Sequence, residues 1–109
     1  MKQYWKLKCI QTNPEQIRIG EEFVIVIDYV VSDPSINSEK LPVYMNFSII
    51  EGEKVLFKSG SILIQSKPGV ITTRRQNMNP TQRKGEFKVE VTLTYKNKTT
   101  SKTITINIS

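Results

Sequence analysis

The feature that most constrains the fold of this sequence is an alternation of apolar and polar residues with a period of two. The clearest case is residues 86–95, where Phe, Val, Val, Leu and Tyr alternate with charged or hydroxyl-bearing residues. Successive side chains of a β-strand point to opposite faces, so this pattern indicates a strand with one buried face. A helix would need apolar residues at spacings of three and four. The alternation therefore predicts strands.

Two further segments indicate how the core forms. Trp5, Leu7 and Cys9 share one face of a first strand, and Cys9 is interpreted as a small buried side chain. Residues 23–31 are apolar at nearly every position, which is typical of a central strand covered on both faces. The other core residues that the alternation predicts are Phe23, Ile25, Ile27, Val31, Val43, Met45, Phe47, Ile49, Phe87, Val89, Val91, Leu93, Tyr95, Ile104, Ile106 and Ile108.

Turn-forming residues separate the predicted strands. Pro68 and Gly69 favour a type II turn, because proline fixes φ at the first central position and glycine accepts a positive φ at the second. We expect this turn to join residues 62–64 to residues 70–73 as a hairpin at the edge of a sheet. The other predicted strand connections are residues 51–54 and residues 96–101.

Two stretches resemble strands of bacterial immunoglobulin-like and fibronectin-type-III-like modules. In residues 19–29, Gly20 and Glu21 precede a long apolar strand, as in those modules. In residues 78–91, a proline and a glycine precede alternating valines, which resembles the start of a late strand. Phe87 stands where such modules usually have tyrosine, so the hydroxyl group that would tie down that corner is absent.

Strand number and chain length agree with this resemblance. A chain of 109 residues fits one domain, and strands at this spacing favour a two-layer sandwich. We expect an all-β, immunoglobulin-like antiparallel β-sandwich of about seven to eight strands, forming a single domain over residues 1–109.

The order of features also resembles the carbohydrate-recognising domain of O-antigen ABC-transporter ATPase subunits, and it resembles macroglobulin-type and filament-type modules about as well. The points shared with the ATPase domain are Gly20-Glu21, Pro42-Val43, Glu51-Gly52 and Gly85-x-Phe87. That resemblance implies a carbohydrate ligand, although a fold alone does not determine function.

The side chains that most catalysis requires are scarce. The sequence has no histidine and a single cysteine, which excludes Ser-His-Asp and Cys-His arrangements, imidazole metal sites and an intrachain disulfide. The close carboxylate pairs, Glu21-Glu22 and Glu51 with Glu53, flank turns and lack the spacing of a calcium loop. We therefore expect no enzymatic activity, no cofactor and no bound metal.

Basic residues form the main candidate binding site. The chain has 16 Lys and Arg against 10 Asp and Glu, a net charge of +6, which attracts anionic partners. Arginine suits bidentate recognition of carboxylate or phosphate groups. The basic candidates, which we expect to converge at one end of the sandwich, are Lys67, Arg74, Arg75, Arg83 and Lys84.

These residues favour one function and leave two alternatives open. We expect a protein-interaction module that uses its loops or an edge strand, either residues 62–75 or residues 103–109, to bind an acidic protein. Tyr44 lies on a polar strand face and is the candidate for stacking on a glycan. Nucleic acid is the second alternative; it rests on charge alone, because no aromatic residue between Phe57 and Phe87 could stack on bases.

The sequence shows no apolar run long enough to cross a membrane. Lys6 and Lys8 interrupt the only early apolar stretch, so we expect no signal core there. The expected location is the cytoplasm, or the cell exterior if a signal peptide has been removed.

Overall fold

The computed structural model describes residues 3–109, and in these residues the chain forms eight β-strands. They are β1 (Tyr4–Asn13), β2 (Phe23–Ser32), β3 (Leu41–Glu51), β4 (Lys54–Lys58), β5 (Ile62–Ser66), β6 (Thr72–Met78), β7 (Gly85–Tyr95) and β8 (Lys98–Ile108). In the same residues, no helix is long and apolar enough to cross a membrane.

The strands form two antiparallel sheets, as expected for a β-sandwich. One sheet has the order β1-β2-β6, and the other has the order β4-β3-β7-β8. Strand β5 also belongs to the second sheet, where it pairs with the first half of β3, and β4 pairs with the second half. The predicted all-β sandwich of seven to eight strands is confirmed, and it has two unclosed sheets of three and five strands.

The core lies between the two sheets and follows the predicted alternation. Val89, Val91 and Leu93 of β7 are fully buried, and the residues between them in sequence face outward. On β2, Val26 and Val30 of the opposite face are also buried, in agreement with a central strand covered on both sides. Burial of apolar side chains is the main favourable contribution to folding.

The prediction for Cys9 is wrong because β1 contains an irregularity. Its register against β2 shifts between Leu7 and Cys9, so the residues after the shift exchange faces. Ile10 takes the buried position instead, and Cys9 is only half-buried. Alternation in the sequence cannot reveal one inserted residue.

The turn at Pro68 and Gly69 does not close a hairpin. Gly69 has a φ of 77°, in agreement with the predicted turn chemistry, but β5 belongs to the five-stranded sheet and β6 to the three-stranded sheet. The backbone N–H of Gly69 donates to the carbonyl oxygen of Val31 at 2.8 Å. Residues 62–75 therefore cross from one sheet to the other, and the two strands lie on the same side of the sandwich.

The two other predicted strand connections both form hairpins. Gly52 has a φ of 60° in the turn between β3 and β4. Lys96 and Asn97, with φ of 49° and 65°, make the turn between β7 and β8, the two positive values that a tight hairpin turn requires. The second connection is shorter than predicted, because β8 already begins at Lys98.

Candidate functional site

The five basic candidate residues do not converge. Arg74 and Arg75 lie in β6 opposite Ile27 and Val26 of β2. Lys67 precedes β6, whereas Arg83 and Lys84 follow it in the loop before β7. A seven-residue strand spans roughly 20 Å, so it separates Lys67 from the last two. The prediction that all five meet at one end of the sandwich is wrong, because the segment between them is a strand rather than a loop.

Arg74 and Arg75 also face opposite sides of their sheet. Arg74 shares a face with the core residue Ile27 and is half-buried, and Arg75 is exposed on the outer face. A charged side chain that points inward from an edge strand discourages pairing with another chain. These two arginines therefore do not form one joint binding site.

Arg83 already has a partner. Its Nη2 and Nε lie 2.6 Å and 3.1 Å from Oε1 of Glu51. The hydrogen bond from Arg83 lowers the pKa of the Glu51 carboxyl, and the same contact raises the pKa of the guanidinium. Both side chains are partly exposed, so the pair contributes little to stability. Lys84, next to it, is exposed.

Tyr44 lies where the sequence places it, on the outer face of the five-stranded sheet. It is 47% exposed, and its cross-strand neighbour on β5, Leu63, is 49% exposed. Thr94 of β7 lies opposite Tyr44 on the other side. We call Tyr44 and Leu63 the outer apolar pair. They form a small apolar surface on the edge strand β5 and its neighbour β3.

The edge at β8 is partly covered. Ile17 forms a parallel bridge to Ile108, and the backbone bonds Ser109 N to Ile17 O and Ile19 N to Ser109 O measure 3.0 Å and 2.8 Å. Lys102 Nζ also reaches the carbonyl oxygen of Lys8 across the gap between the sheets, at 3.3 Å. The predicted edge at residues 103–109 is therefore an edge strand whose last residues are already paired.

The other edges differ in how well they resist pairing with a foreign strand. β1 carries its register shift and two lysines, β6 has its inward Arg74, and β4 begins and ends with Lys54 and Lys58. Such features discourage edge-to-edge association. In the part of the chain that the structure describes, β5 alone among the edge strands has no charged residue and pairs only with β3.

An apolar groove of about 380 Å³ lies between the facing edges of β4 and β6. Phe57 of β4 contacts Phe47 of the core at a ring-centroid distance of 5.5 Å, yet it is 45% exposed. The apolar residues that line the groove include Phe23, Ile49, Leu56, Phe57, Met78 and Phe87. The sequence gives no signal for this site, because the groove depends on which two edges face each other.

A buried carboxylate holds the opposite end of the sandwich together. Asp33 Oδ2 accepts hydrogen bonds from Tyr95 Oη at 2.5 Å and from Gln3 Nε2 at 3.3 Å, and Lys96 Nζ lies 2.9 Å away. Asp33 Oδ1 accepts from the hydroxyl and the backbone N–H of Ser35. These residues form the Asp33 cluster, which joins the three-stranded sheet to the β7–β8 turn.

The cluster changes the acidity of two groups. The hydrogen bond from Ser35, followed by the one from Tyr95, lowers the pKa of Asp33 far below its usual value. Burial, together with the hydrogen bond to Asp33, raises the pKa of Tyr95 to about 12. The sequence contains a signal for the turn at Asp33. An aspartate followed by Pro34 and Ser35 is typical of a turn in which the aspartate side chain accepts hydrogen bonds from the backbone that follows it. We interpret the cluster as structural, because both carboxylate oxygens of Asp33 accept hydrogen bonds from other residues of the chain.

Within residues 3–109, no group of three or more His, Cys, Asp or Glu side chains is placed to hold a metal ion. No protein-family model matches the sequence, and no curated protein matches it significantly. The geometry of the strand edges presents two candidate sites, the β5 edge with its outer apolar pair and the groove between β4 and β6.

Proposed function

We propose that this chain is a non-catalytic protein-interaction module that binds an extended segment of another protein along β5. The observation that carries the proposal is the edge itself, Ile62–Ser66, which has no charge and pairs with β3 on one side only. An unpaired edge offers backbone N–H and C=O groups that an added strand can satisfy, a recurring mode of peptide recognition.

The outer apolar pair supports this placement. Leu63 and Tyr44 are each about half exposed and lie next to each other across β5 and β3. A strand added to β5 places alternate side chains beside Leu63 on the outer face. Backbone hydrogen bonds then provide affinity, and the contacts with Leu63 and Tyr44 provide specificity.

We further propose that the sandwich is of the immunoglobulin-like or fibronectin-type-III-like kind. The order β4-β3-β7-β8 supports this, because such sandwiches place their third strand beside their last two. The resemblance to the carbohydrate-recognising domain of transporter ATPases belongs to the same proposal and rests on the features shared along the sequence.

A charge placed on the β5 edge tests the proposed function. Short random peptides displayed on phage are selected on the immobilised protein, and the affinity of the selected peptides is measured by fluorescence polarisation. Leu63→Lys is expected to weaken binding about tenfold, because a charged edge opposes strand addition. In the wild-type protein, peptide-induced amide shifts are expected along Ile62–Ser66.

Thr103→Lys on β8 is the matched control, since Thr103 is also exposed and the substitution adds the same charge. It is expected to leave peptide affinity unchanged, and both variants should melt within a few degrees of the wild type. Equal losses for both variants, or peptide-induced shifts confined to β8, would contradict the proposal.

Glycan binding is a second candidate, and it rests on Tyr44. Its ring is 47% exposed on a sheet face beside Thr94, and aromatic rings with neighbouring polar groups suit sugars. Tyr44→Ala should then abolish the chemical-shift changes that a glycan panel induces, while Leu63→Lys should largely preserve them. The separation of the basic residues argues against nucleic acid, which needs a continuous basic surface.

A further inference from the structure

The groove between β4 and β6 lies on the same side of the sandwich as β5 and continues along the same edge of β3. We propose that it receives a large apolar side chain from an acidic, extended protein segment that pairs with β4. This inference rests on the proposed function, strand addition at this edge of the five-stranded sheet, and it names the chemistry of the partner.

The shape of the groove suits a side chain better than a whole small molecule. Its volume of about 380 Å³ is at the low end for ligand pockets, which measure roughly 300–1,000 Å³. Its apolar lining comes from both sheets, with Phe23 and Met78 on one wall and Leu56 and Phe57 on the other. One or two large apolar side chains would fill it and remove the exposed surface of Phe57 from water.

The register of β4 determines how an added strand would reach the groove. Phe57 pairs with Ile49, whose side chain faces the core, and Val55 pairs with Ile50 on the outer face. A register shift between Ile49 and Ile50 leaves Leu56 as an extra residue, so Leu56 and Phe57 both line the groove. A strand added beside β4 would point alternate residues to the same two faces. A partner side chain beside Phe57 is therefore expected to enter the groove, and one beside Val55, which is 53% exposed, is expected to lie outside.

The charge around the groove selects an acidic partner. Strands β4, β5 and β6 contain Lys54, Lys58, Arg74 and Arg75 and no acidic residue. Arg83 at the mouth of the groove is matched by Glu51, and Arg75 faces the outer side of the three-stranded sheet. The excess positive charge near the groove therefore comes from Lys54, Lys58 and Arg74. Lysines at the ends of β4 repel most strands and attract one that carries carboxylates, which gives specificity in addition to affinity.

The probe is a short peptide in which acidic and apolar residues alternate, acetyl-Glu-Val-Asp-Phe-Asp-Val-Glu-amide. We expect it to bind and to shift the NMR signals of the Phe57 ring and the Met78 methyl group. The same peptide with serine in place of phenylalanine should bind about tenfold more weakly. A version with lysine in place of every acidic residue should not bind measurably.

Charge reversal on the protein provides the matched comparison. Lys54→Glu with Lys58→Glu should reduce affinity for the peptide at least about tenfold, because two attractive contacts become repulsive. Lys98→Glu with Lys102→Glu makes the same change in net charge on β8 and should cost less than about twofold. Phe57→Ala should also weaken binding, and its thermal melting shows whether the fold is intact.

The possible outcomes separate this inference from the proposed function. Equal binding of the serine and phenylalanine peptides would overturn the groove as the site, and equal binding of the lysine peptide would overturn the acidic partner. If Leu63→Lys weakens peptide binding while Phe57→Ala and Lys54→Glu with Lys58→Glu leave it unchanged, the groove inference fails and the proposed function stands. If sedimentation shows a dimer that Phe57→Ala disrupts and that the acidic peptide does not dissociate, the occupant is a second copy and the inference fails.

Discussion

The two sides of this sandwich are built differently, although each consists of edge strands from the two sheets. On the closed side, formed by β1, β8 and residues 17–19, backbone bonds join Ile17 and Ile19 to Ser109, and Lys102 spans the sheets. On the open side, formed by β4, β5 and β6, an apolar groove separates the edges of β4 and β6. The closed side leaves few backbone groups with which a partner strand could pair, whereas the open side leaves unpaired backbone groups and exposed apolar side chains.

One end of the open side is nevertheless fastened. Tyr29 Oη and Ser66 Oγ lie 2.7 Å apart and are buried, which ties β2 to the end of β5. The groove lies at the other end, where Phe23 and Met78 begin and end their strands. A foreign strand can therefore add along this side without disturbing the crossing between the sheets at Pro68 and Gly69.

The largest expected difference between the two sides is in stability. Ile17→Ala should lower the free energy of unfolding by about 2–4 kcal/mol, because it removes a side chain that is 1% exposed and leaves a cavity. Phe57→Ala on the open side should cost about 1 kcal/mol, since its ring is already 45% exposed. Urea unfolding followed by tryptophan fluorescence measures both, and equal losses would contradict the distinction between the two sides.

A smaller effect is expected at the Asp33 cluster. Tyr95→Phe should cost about 1–2 kcal/mol, because Asp33 loses a charge-assisted donor and keeps Ser35 and Lys96. Circular dichroism during thermal unfolding measures the loss. A change below about half a kcal/mol would show that the remaining donors fully satisfy the carboxylate.

The same cluster predicts how stability depends on pH. Folding lowers the pKa of Asp33, so its contribution is present above about pH 4, the pKa of an unfolded aspartate, and is lost as the pH falls further. Folding raises the pKa of Tyr95 to about 12, so that contribution is present below about pH 10 and is lost as the pH rises toward 12. Melting temperatures measured from pH 2 to pH 12 test both directions. Tyr95→Phe should remove the Tyr95 contribution at alkaline pH and also reduce the loss at acid pH, because the Tyr95 hydrogen bond helps to lower the pKa of Asp33.

The smallest expected effect is at Lys102. Lys102→Ala should change stability by less than about 0.5 kcal/mol, because its contact with the Lys8 carbonyl oxygen is exposed. Denaturant unfolding of the variant and the wild type measures this difference in the free energy of unfolding. A loss comparable to that of Ile17→Ala would mean that this one contact, rather than the paired backbone, keeps the side closed.

The sequence predicted the parts of the fold that depend on local alternation. The buried face of β7 and the turn at Lys96 and Asn97 follow from patterns of a few residues. The register shift near Cys9 and the separation of β5 from β6 could not be predicted, because both depend on pairing between residues distant in the sequence. For the same reason Arg74 and Arg83 appeared to belong to one cluster, and the groove had no local signal at all.

The crossing of the chain between sheets also bears on how the protein folds. The β7–β8 hairpin closes through a two-residue turn, whereas β6 reaches its place only when Phe23 meets Met78, far along the chain. Contacts between distant residues form slowly, because a long loop must be ordered before any of them is gained. We therefore expect the hairpin to form early and β6 to dock late. The wall that β6 contributes to the groove would then be among the last parts of the molecule to assemble and the first to open in native-state hydrogen exchange.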